Sequence, residues 1–300
     1  PAAGAVRVRR EAALHLMPVE QRGKEGRSLA GDETLEPAFR AQILALPSEA
    51  DIARELGSNN DPDAIRVARE AVLAFVAGEG ASLFAALFDR HQMKGSFTPD
   101  ADSAGRRALR NAALTYLAIA EDRPGQAARA FAAADNMTDL SAALTVLAHR
   151  FPDAPETQAA LETFRARFAE NALVLDKWFA IQATIPGDGT LGRVQRLMES
   201  PHFNPGNPNR VRALVGTFAF SNPTGFNRVD GEGYRFLASQ ILEIDPKNPQ
   251  LAARILTSMR SWRSLEAVRR EHALNALRRI AAGEKLSADV SDIVERMLNG

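Results

Sequence analysis

The chain has 300 residues, which is enough for two compact domains or for one elongated array of repeats. Its 37 basic residues balance its 37 acidic residues, so the formal net charge is zero and neither nucleic acid nor a membrane is expected as a partner. Because there is no cysteine, disulfide bonds, thiolate zinc sites and cysteine nucleophiles are excluded, and a cytoplasmic location is expected.

The N-terminal region has the features of neither a secretory signal nor a membrane span. Residues 1–10 lack the apolar core of a signal peptide, and no apolar run approaches the roughly 20 residues of a transmembrane helix. The chain begins without methionine, so we expect either a processed protein or a piece excised from a longer one. We favour the excised piece. Residues 20–32 are rich in glycine and charge. We therefore assign residues 1–33 to an N-terminal arm or linker and residues 34–300 to one helical domain.

Helix signals dominate the remainder of the chain. Apolar residues recur at three- and four-residue spacing, as at Leu140, Leu144 and Leu147, and no useful run of alternating strand residues occurs. An Asn or Asp followed by Pro supplies a capping oxygen and a preset backbone angle at a helix start, and this signal occurs at Asp61, Asn207, Asn222 and Asn248. The pattern predicts helices over 34–46, 48–56, 62–77, 80–93, 103–121, 124–134, 137–150, 155–169, 171–184, 189–199, 208–219, 232–243, 249–258, 262–282 and 287–298.

This succession of short helices and short loops predicts an all-α fold. Sequential antiparallel helix pairs stack into a superhelical array, and we expect a bowl of the armadillo or HEAT type. No clean repeat period occurs, so the array should be irregular. Two Gly-Glu-Gly tripeptides, at 78–80 and 231–233, follow no strand and lack the Lys-Ser/Thr pair of a phosphate-binding loop. We predict that both separate helices.

The residues of a zinc peptidase are missing. Such a site needs two histidines one helical turn apart with a glutamate beside the first. The histidines are instead scattered, at His15, His91, His149, His202 and His272. No nucleophilic serine motif occurs either. We therefore predict no catalytic residue, metal ligand or cofactor in this chain, and expect it alone to bind no zinc stoichiometrically and to have no hydrolytic activity.

Several segments carry a resemblance to a known family. They are Asn-Met-Thr-Asp at 136–139, Leu-Val-Leu-Asp-Lys-Trp-Phe-Ala-Ile-Gln-Ala at 173–183, Asn-Pro-Asn-Arg-Val-Arg at 207–212, Phe-Ala-Phe-Ser-Asn-Pro at 218–223, Asp-Gly-Glu-Gly-Tyr at 230–234 and Asn-Pro-Gln-Leu-Ala-Ala-Arg at 248–254, with support from 106–111. In order and spacing, from about residue 38 onward, they resemble the C-terminal helical domain of bacterial aminopeptidase N, a gluzincin metallopeptidase. The resemblance implies an upstream catalytic domain that holds the zinc, and a helical bowl that closes over it and limits entry to peptides.

The resemblance also implies two substrate-binding residues. Arg212 and Arg254 align with the two arginines that face the cavity in that family, where they would bind carboxylates of the peptide. We expect them to lie just past the first turn of neighbouring helices and to point into one concave face. The nearby Arg210 is a less favoured candidate for this substrate-binding role. By contrast, Trp178 and Phe179 are expected in the hydrophobic core.

Two other aspects of the sequence bear on function. Tyr234 is expected as a buried ring whose hydroxyl caps a loop, with a place on the wall of the cavity as the alternative, and Asp176 with Lys177 as an exposed pair. The main alternative for the whole chain is a free-standing helical-repeat scaffold that binds a protein or peptide in its concave face. A self-sufficient helical hydrolase would need a convergent set of polar residues, and no such set is evident in the sequence.

Overall fold

The computed structural model describes residues 19–93, 95 and 97–300, and these residues are almost all helices and short connections. The α-helices are α1 (Val19–Gly31), α2 (Pro37–Ile43), α3 (Glu49–Leu56), α4 (Pro62–Arg90), α5 (Ala101–Glu121), α6 (Gly125–Ala133), α7 (Met137–Arg150), α8 (Pro155–Arg167), α9 (Ala172–Ala183), α10 (Thr190–Met198), α11 (Pro208–Val211), α12 (Thr217–Ser221), α13 (Pro223–Phe226), α14 (Glu232–Ile244), α15 (Pro249–Leu256), α16 (Ala267–Ala281) and α17 (Ala288–Asn299). A π turn covers Arg212–Gly216, and 3-10 turns cover Thr257–Met259 and Trp262–Ser264. No strand occurs among the described residues, so the all-α prediction is confirmed.

The helices begin where the capping signals predict. The side-chain oxygen of Asn136 accepts a hydrogen bond from the backbone of Asp139 at 3.0 Å, and that of Asn248 accepts one from Leu251 at 3.0 Å. Ser48 and Asp51 form a reciprocal capping box at the start of α3. Each of these bonds satisfies a backbone N–H that has no partner within its own helix. Local capping chemistry therefore determines these boundaries.

Helix α4 differs from the sequence prediction. The helices expected over 62–77 and 80–93 are one helix of 29 residues, and Gly78 and Gly80 lie inside it. Gly80 is buried, and a Cβ there would lie 2.5 Å from Cε2 of Phe84 and 3.0 Å from Cδ of Arg27. This glycine thus allows close packing of neighbouring side chains and does not end the helix, so the predicted break is wrong.

By length and composition, α4 is also the helix among the described residues that could cross a membrane. Core helices of soluble proteins have the same composition, and α4 buries several large apolar side chains within the protein: Ile65, Leu73, Val76, Phe84, Leu87 and Phe88. The composition of α4 is therefore explained by its contribution to the core.

Helix α1 lies where the sequence predicts a linker over 20–32. Glycines at 23, 26 and 31 disfavour a helix in isolation. The helix nevertheless packs on α2, where Ala30 is fully buried and its carbonyl accepts a 2.7 Å hydrogen bond from Nε of Arg40. Tertiary packing thus outweighs weak local propensity. The domain boundary at residues 33 and 34 stays a prediction, and residues 1–18 lie outside the described residues.

The chain divides into two compact units. The first unit contains described residues 19–47 and 68–161. In its core the ring of Phe84 stacks on Tyr116, with centroids 4.5 Å apart, and the Tyr116 hydroxyl donates a 2.6 Å hydrogen bond to the carbonyl of Leu44. Burial raises the pKa of Tyr116 to about 12, so this hydroxyl stays protonated as a donor.

The second unit contains Ser48–Val67 and Glu162–Gly300. Its core includes an aromatic cluster in which the ring centroid of Phe226 lies 6.0 Å from that of Phe218 and 5.4 Å from that of Tyr234. A single parallel bridge joins Asn60 to Leu265. The second unit therefore combines an early segment of the chain with almost all of its second half.

Candidate functional site

Arg212 lies where helix α11 passes into a π turn. Asn207 caps α11 through a 3.0 Å hydrogen bond from the backbone of Asn209, and Pro208 is the first helical residue. Arg212 follows α11 and opens the π turn. Its side chain is exposed, and Nη1 donates a 3.0 Å hydrogen bond to Oδ1 of Asn209. Because Asn209 is neutral, the charge of this guanidinium remains available to an anionic ligand.

Arg254 occupies a similar position on a later helix. Asn248 caps α15, Pro249 is its first residue, and Arg254 lies past the first turn, in the last turn of this short helix. The residue is exposed, and its guanidinium has neither an ion pair nor a hydrogen bond among the described residues. Both arginines thus follow an Asn-Pro helix start and reach solvent. That they point into one concave face stays a prediction.

The two segments that carry the arginines approach each other at one point. A Cβ on Gly216, the last residue of the π turn, would lie 4.0 Å from Cγ1 of Ile255, the residue after Arg254. Gly216 and Ile255 are both buried. This contact is consistent with the prediction that the helices carrying Arg212 and Arg254 are neighbours.

The π turn itself escapes sequence reasoning, which predicts one continuous helix over 208–219. Such a turn holds an extra residue, and π turns are often found at functional sites. Beside it, the hydroxyl of Thr217 donates a 3.1 Å hydrogen bond to the carbonyl of Arg212, five residues earlier. The sequence Arg-Ala-Leu-Val-Gly carries no signal for this geometry.

Arg210 is buried and contacts other residues of the protein. Its side chain is buried over the ring of Phe179, at 4.9 Å from the centroid, and its Nε lies 3.3 Å from Oδ1 of Asp176. The expected exposed pair of Asp176 and Lys177 is therefore wrong for Asp176, because this carboxylate joins α9 to Arg210. The core positions of Trp178 and Phe179 are confirmed, since only 7% and 0% of these residues are exposed.

Tyr234 also matches its prediction. The ring is 1% exposed, and the hydroxyl donates a 2.9 Å hydrogen bond to Oδ1 of Asn227 in the preceding loop. Burial raises the pKa of Tyr234 above its ordinary value, so the hydroxyl remains a donor. Tyr234 therefore fixes the loop between α13 and α14.

Metal-ligating side chains do not converge in the part of the chain that the structure describes. Within residues 19–93, 95 and 97–300, no group of three or more His, Cys, Asp and Glu side chains is arranged to hold a metal ion. His15 lies outside the described residues.

Comparison with protein families assigns residues 16–299 to a family described as "Domain of unknown function (DUF3458_C) ARM repeats". The chain belongs to this family. The DUF3458_C match covers nearly the whole chain, and its ARM-repeat description agrees with the predicted helical array of armadillo type.

Two curated relatives of this DUF3458_C domain are aminopeptidases. The chain is 40% identical over 276 residues to aminopeptidase N of Caulobacter vibrioides and 34% identical over 274 residues to aminopeptidase N of Escherichia coli. Each match covers 91% of the chain but 31% of the relative. The chain therefore spans about a third of the length of these relatives, and the predicted resemblance to aminopeptidase N is confirmed.

A solved structure shares the fold of the DUF3458_C domain. Legionella pneumophila aminopeptidase A, in complex with aspartic acid, superposes with a TM-score of 0.84 at 28% sequence identity. The match covers 95% of this chain and 34% of that chain. Both kinds of comparison therefore match the chain to one part of a larger peptidase, its C-terminal part.

Proposed function

We propose that this chain is the C-terminal domain of a cytoplasmic zinc aminopeptidase, that it covers the active-site cavity of the upstream catalytic domain, and that it helps to admit and position peptides. The observation that carries this proposal is the match of 91% of the chain to 31% of aminopeptidase N. In this arrangement the zinc and the catalytic groups belong to the upstream domain. The helical domain contributes its surface.

Arg212 and Arg254 are the residues proposed to contact the peptide. An exposed guanidinium binds a carboxylate through two parallel hydrogen bonds, which gives both affinity and orientation. Such a contact is strengthened where a closed cavity excludes water, because the effective dielectric constant falls. Acidic side chains or the terminal carboxylate of a peptide would be the ligands.

The test uses the full-length enzyme with Arg212→Ala and Arg254→Ala. Loss of a charge-assisted contact away from the scissile bond should raise KM for tri- and tetrapeptides by about 5- to 30-fold and leave aminoacyl anilides unchanged. Arg270→Ala is the matched control, because Arg270 is an exposed helical arginine on α16. Steady-state kinetics with wild-type KM for tetrapeptides in both variants would contradict the role of these arginines.

The alternative function is a free-standing scaffold that binds a protein or peptide partner. The ARM-repeat description of the family favours it, since such repeats bind partners in a concave surface. The two functions predict different coding sequences upstream of residue 1. A reading frame upstream of residue 1 that encodes His-Glu-x-x-His supports the peptidase domain, and a frame without it supports the scaffold.

A further inference from the structure

The segment 208–221, which carries Arg212, presents one exposed helical face. Phe220 follows Arg212 by eight residues. A regular α-helix turns about 100° per residue, which would place Phe220 about 80° around the axis from Arg212. The π turn absorbs one extra residue, because the backbone N–H of Thr217 bonds the carbonyl of Arg212. This insertion brings Phe220 to within about 20° of Arg212, and both residues are exposed. They therefore share a face.

The segment 249–261, which carries Arg254, has a matching exposed face. Ser258 and Ser261 follow Arg254 by four and seven residues, which is the spacing of residues on one side of a helix. Arg254 and Ser261 are exposed and Ser258 is partly exposed, whereas Met259 is buried. The exposed face of this segment thus continues past the end of α15.

Both faces lead to the same pocket. Gly216 of the first segment is close to Ile255 of the second. Further along each segment, Phe220 and Ser261 both line a pocket of about 440 Å³, which we call the Phe220 pocket. The two segments therefore run side by side in the same direction, from the arginines toward this pocket.

The Phe220 pocket offers apolar surface to a ligand. Phe220 is 47% exposed at its edge, and three further lining residues, Ala50, Ala53 and Pro223, are also accessible. Burial of an apolar side chain against such a surface is favourable in proportion to the area removed from water.

The charges around the pocket do not favour a carboxylate. Its two charged lining residues, Glu49 and Arg54, both belong to α3 and have opposite signs. Arg54 already pairs with Asp51 of the same helix at 2.6 Å. When Asp51 is counted, this wall carries one net negative charge. A carboxylate is therefore attracted to Arg212 and Arg254, and the pocket is left to an apolar group.

The spacing along the helix sets the length of the ligand. At a rise of about 1.5 Å per residue, Phe220 lies about 12 Å along the axis from Arg212. An extended peptide advances about 3.3 Å per residue, so a carboxylate at the arginines and a side chain in the pocket would be about three to four residues apart.

We propose that the Phe220 pocket binds an apolar side chain of the same peptide whose carboxylate contacts Arg212 and Arg254. This inference rests on the peptide-binding role proposed above. It makes the pocket a specificity-determining site, because a peptide is then recognised by an apolar residue placed about three to four residues from a carboxylate.

The test is a protein-observed NMR titration of the 300-residue chain with N-acetylated tetrapeptides. The probe is acetyl-Phe-Ala-Ala-Ala with a free terminal carboxylate. We expect saturable binding, with shifts at the backbone of Phe220 and Arg254. Acetyl-Ser-Ala-Ala-Ala should bind about tenfold more weakly, because the apolar contact is lost. Acetyl-Ala-Ala-Phe-Ala should be weakened similarly, since its ring is too close to the carboxylate to reach the pocket.

Variants of the protein locate the apolar contact. Phe220→Ser should weaken the phenylalanine peptide about tenfold and leave the serine peptide nearly unchanged. Ala50→Trp fills the pocket from an exposed position and should give the same pattern, which keeps the test valid if Phe220→Ser does not fold. Leu173→Ser is the matched control, because Leu173 is a 72% exposed apolar residue of the same unit outside the pocket, and it should bind like wild type.

The outcomes separate this inference from the proposed role of the arginines. Equal affinities for the phenylalanine and serine peptides, with weaker binding of the C-terminal amide acetyl-Phe-Ala-Ala-Ala-NH₂, would retain the arginine contact and overturn the pocket. Equal affinities for the acid and the amide, with wild-type binding by Arg212→Ala and Arg254→Ala, would overturn the arginine contact and this inference with it.

Two further results would overturn the pocket alone. Equal binding of acetyl-Ala-Ala-Phe-Ala would show that the spacing is wrong. Equal or tighter binding of acetyl-Lys-Ala-Ala-Ala would show that the negative charge of α3, and not apolar surface, selects the side chain.

Discussion

The two Gly-Glu-Gly tripeptides of the chain occupy opposite positions in their helices. Gly78 and Gly80 lie in the middle of α4, whereas Gly231 caps the start of α14. Gly231 has a φ of 74°, in the left-handed region that favours glycine, and Gly233 lies so close to the preceding loop that a Cβ would be 1.9 Å from the carbonyl oxygen of Phe226. The same three residues thus continue one helix and begin another.

The comparison shows when a glycine ends or begins a helix. Around Gly80 the close neighbours are side-chain atoms of Phe84 and Arg27, and the backbone keeps its helical hydrogen bonds. Around Gly231 and Gly233 the backbone itself requires glycine, through a positive φ and through a backbone contact. A glycine therefore separates two helices where the backbone needs a positive φ or a close backbone contact. Elsewhere it only allows neighbouring side chains to pack closely.

The largest effect is expected for Gly233→Ala. The new Cβ would overlap a backbone carbonyl, which cannot rotate away, so α14 or the loop before it must shift at a cost of about 4 kcal/mol or more. Both tryptophans, Trp178 and Trp262, belong to the second unit, so urea unfolding followed by tryptophan fluorescence reports on this unit. The exposed neighbour Glu232→Ala loses only a surface ion pair with Arg235 and a favourable charge in the first turn of the helix, so it should lose about 1 kcal/mol or less. A similarly small loss for Gly233→Ala would show that the contact with Phe226 is not restrictive.

A smaller loss is expected for Gly80→Ala. The new methyl group would meet the flexible ends of Phe84 and Arg27, so overpacking costs about 1–3 kcal/mol, partly offset by the better helix propensity of alanine. The net loss should be about 1–2 kcal/mol. Because no tryptophan lies in the first unit, far-UV circular dichroism during urea unfolding is the suitable measurement. A gain in stability would mean that Phe84 moves freely from its stack on Tyr116.

The smallest effect, and one of opposite sign, is expected for Gly78→Ala. This glycine is exposed in mid-helix, its φ is not positive, and a Cβ there would meet nothing within 4 Å. Alanine should stabilise the first unit by about 0.5–1 kcal/mol. The reverse change at another exposed position of α4, Ala74→Gly, should destabilise it by a similar amount in the same dichroism experiment. Destabilisation by Gly78→Ala would place a helix break at this residue after all.

Sequence reasoning succeeds where short-range chemistry decides the structure. The prediction for 137–150 agrees with α7 at both ends, because Asn136 caps the helix through its own side chain. It fails where distant residues decide. The helix α1 depends on burial of Ala30 against α2, and the glycines of α4 could not be distinguished from those of α14 without their neighbours in space.

The candidate sites follow the same division. Arg212 and Arg254 could be named from the sequence because aligned segments surround them, and their exposure agrees with a role in binding. The π turn beside Arg212 could not be named, because no residue of its sequence signals that geometry.

The pairing of Arg269 with Asp61 has a consequence for synthesis on the ribosome, since it spans 208 positions. At about 5–20 residues per second, roughly 10–40 s separate translation of the two partners. Every segment of the first unit is made before residue 162, whereas α3 and the first turn of α4 must wait for residues 162–300, almost half of the chain. During that interval Ile65, which is buried in the finished protein, lacks the later segments of its own unit, and this early segment is where a chaperone that binds nascent chains would act.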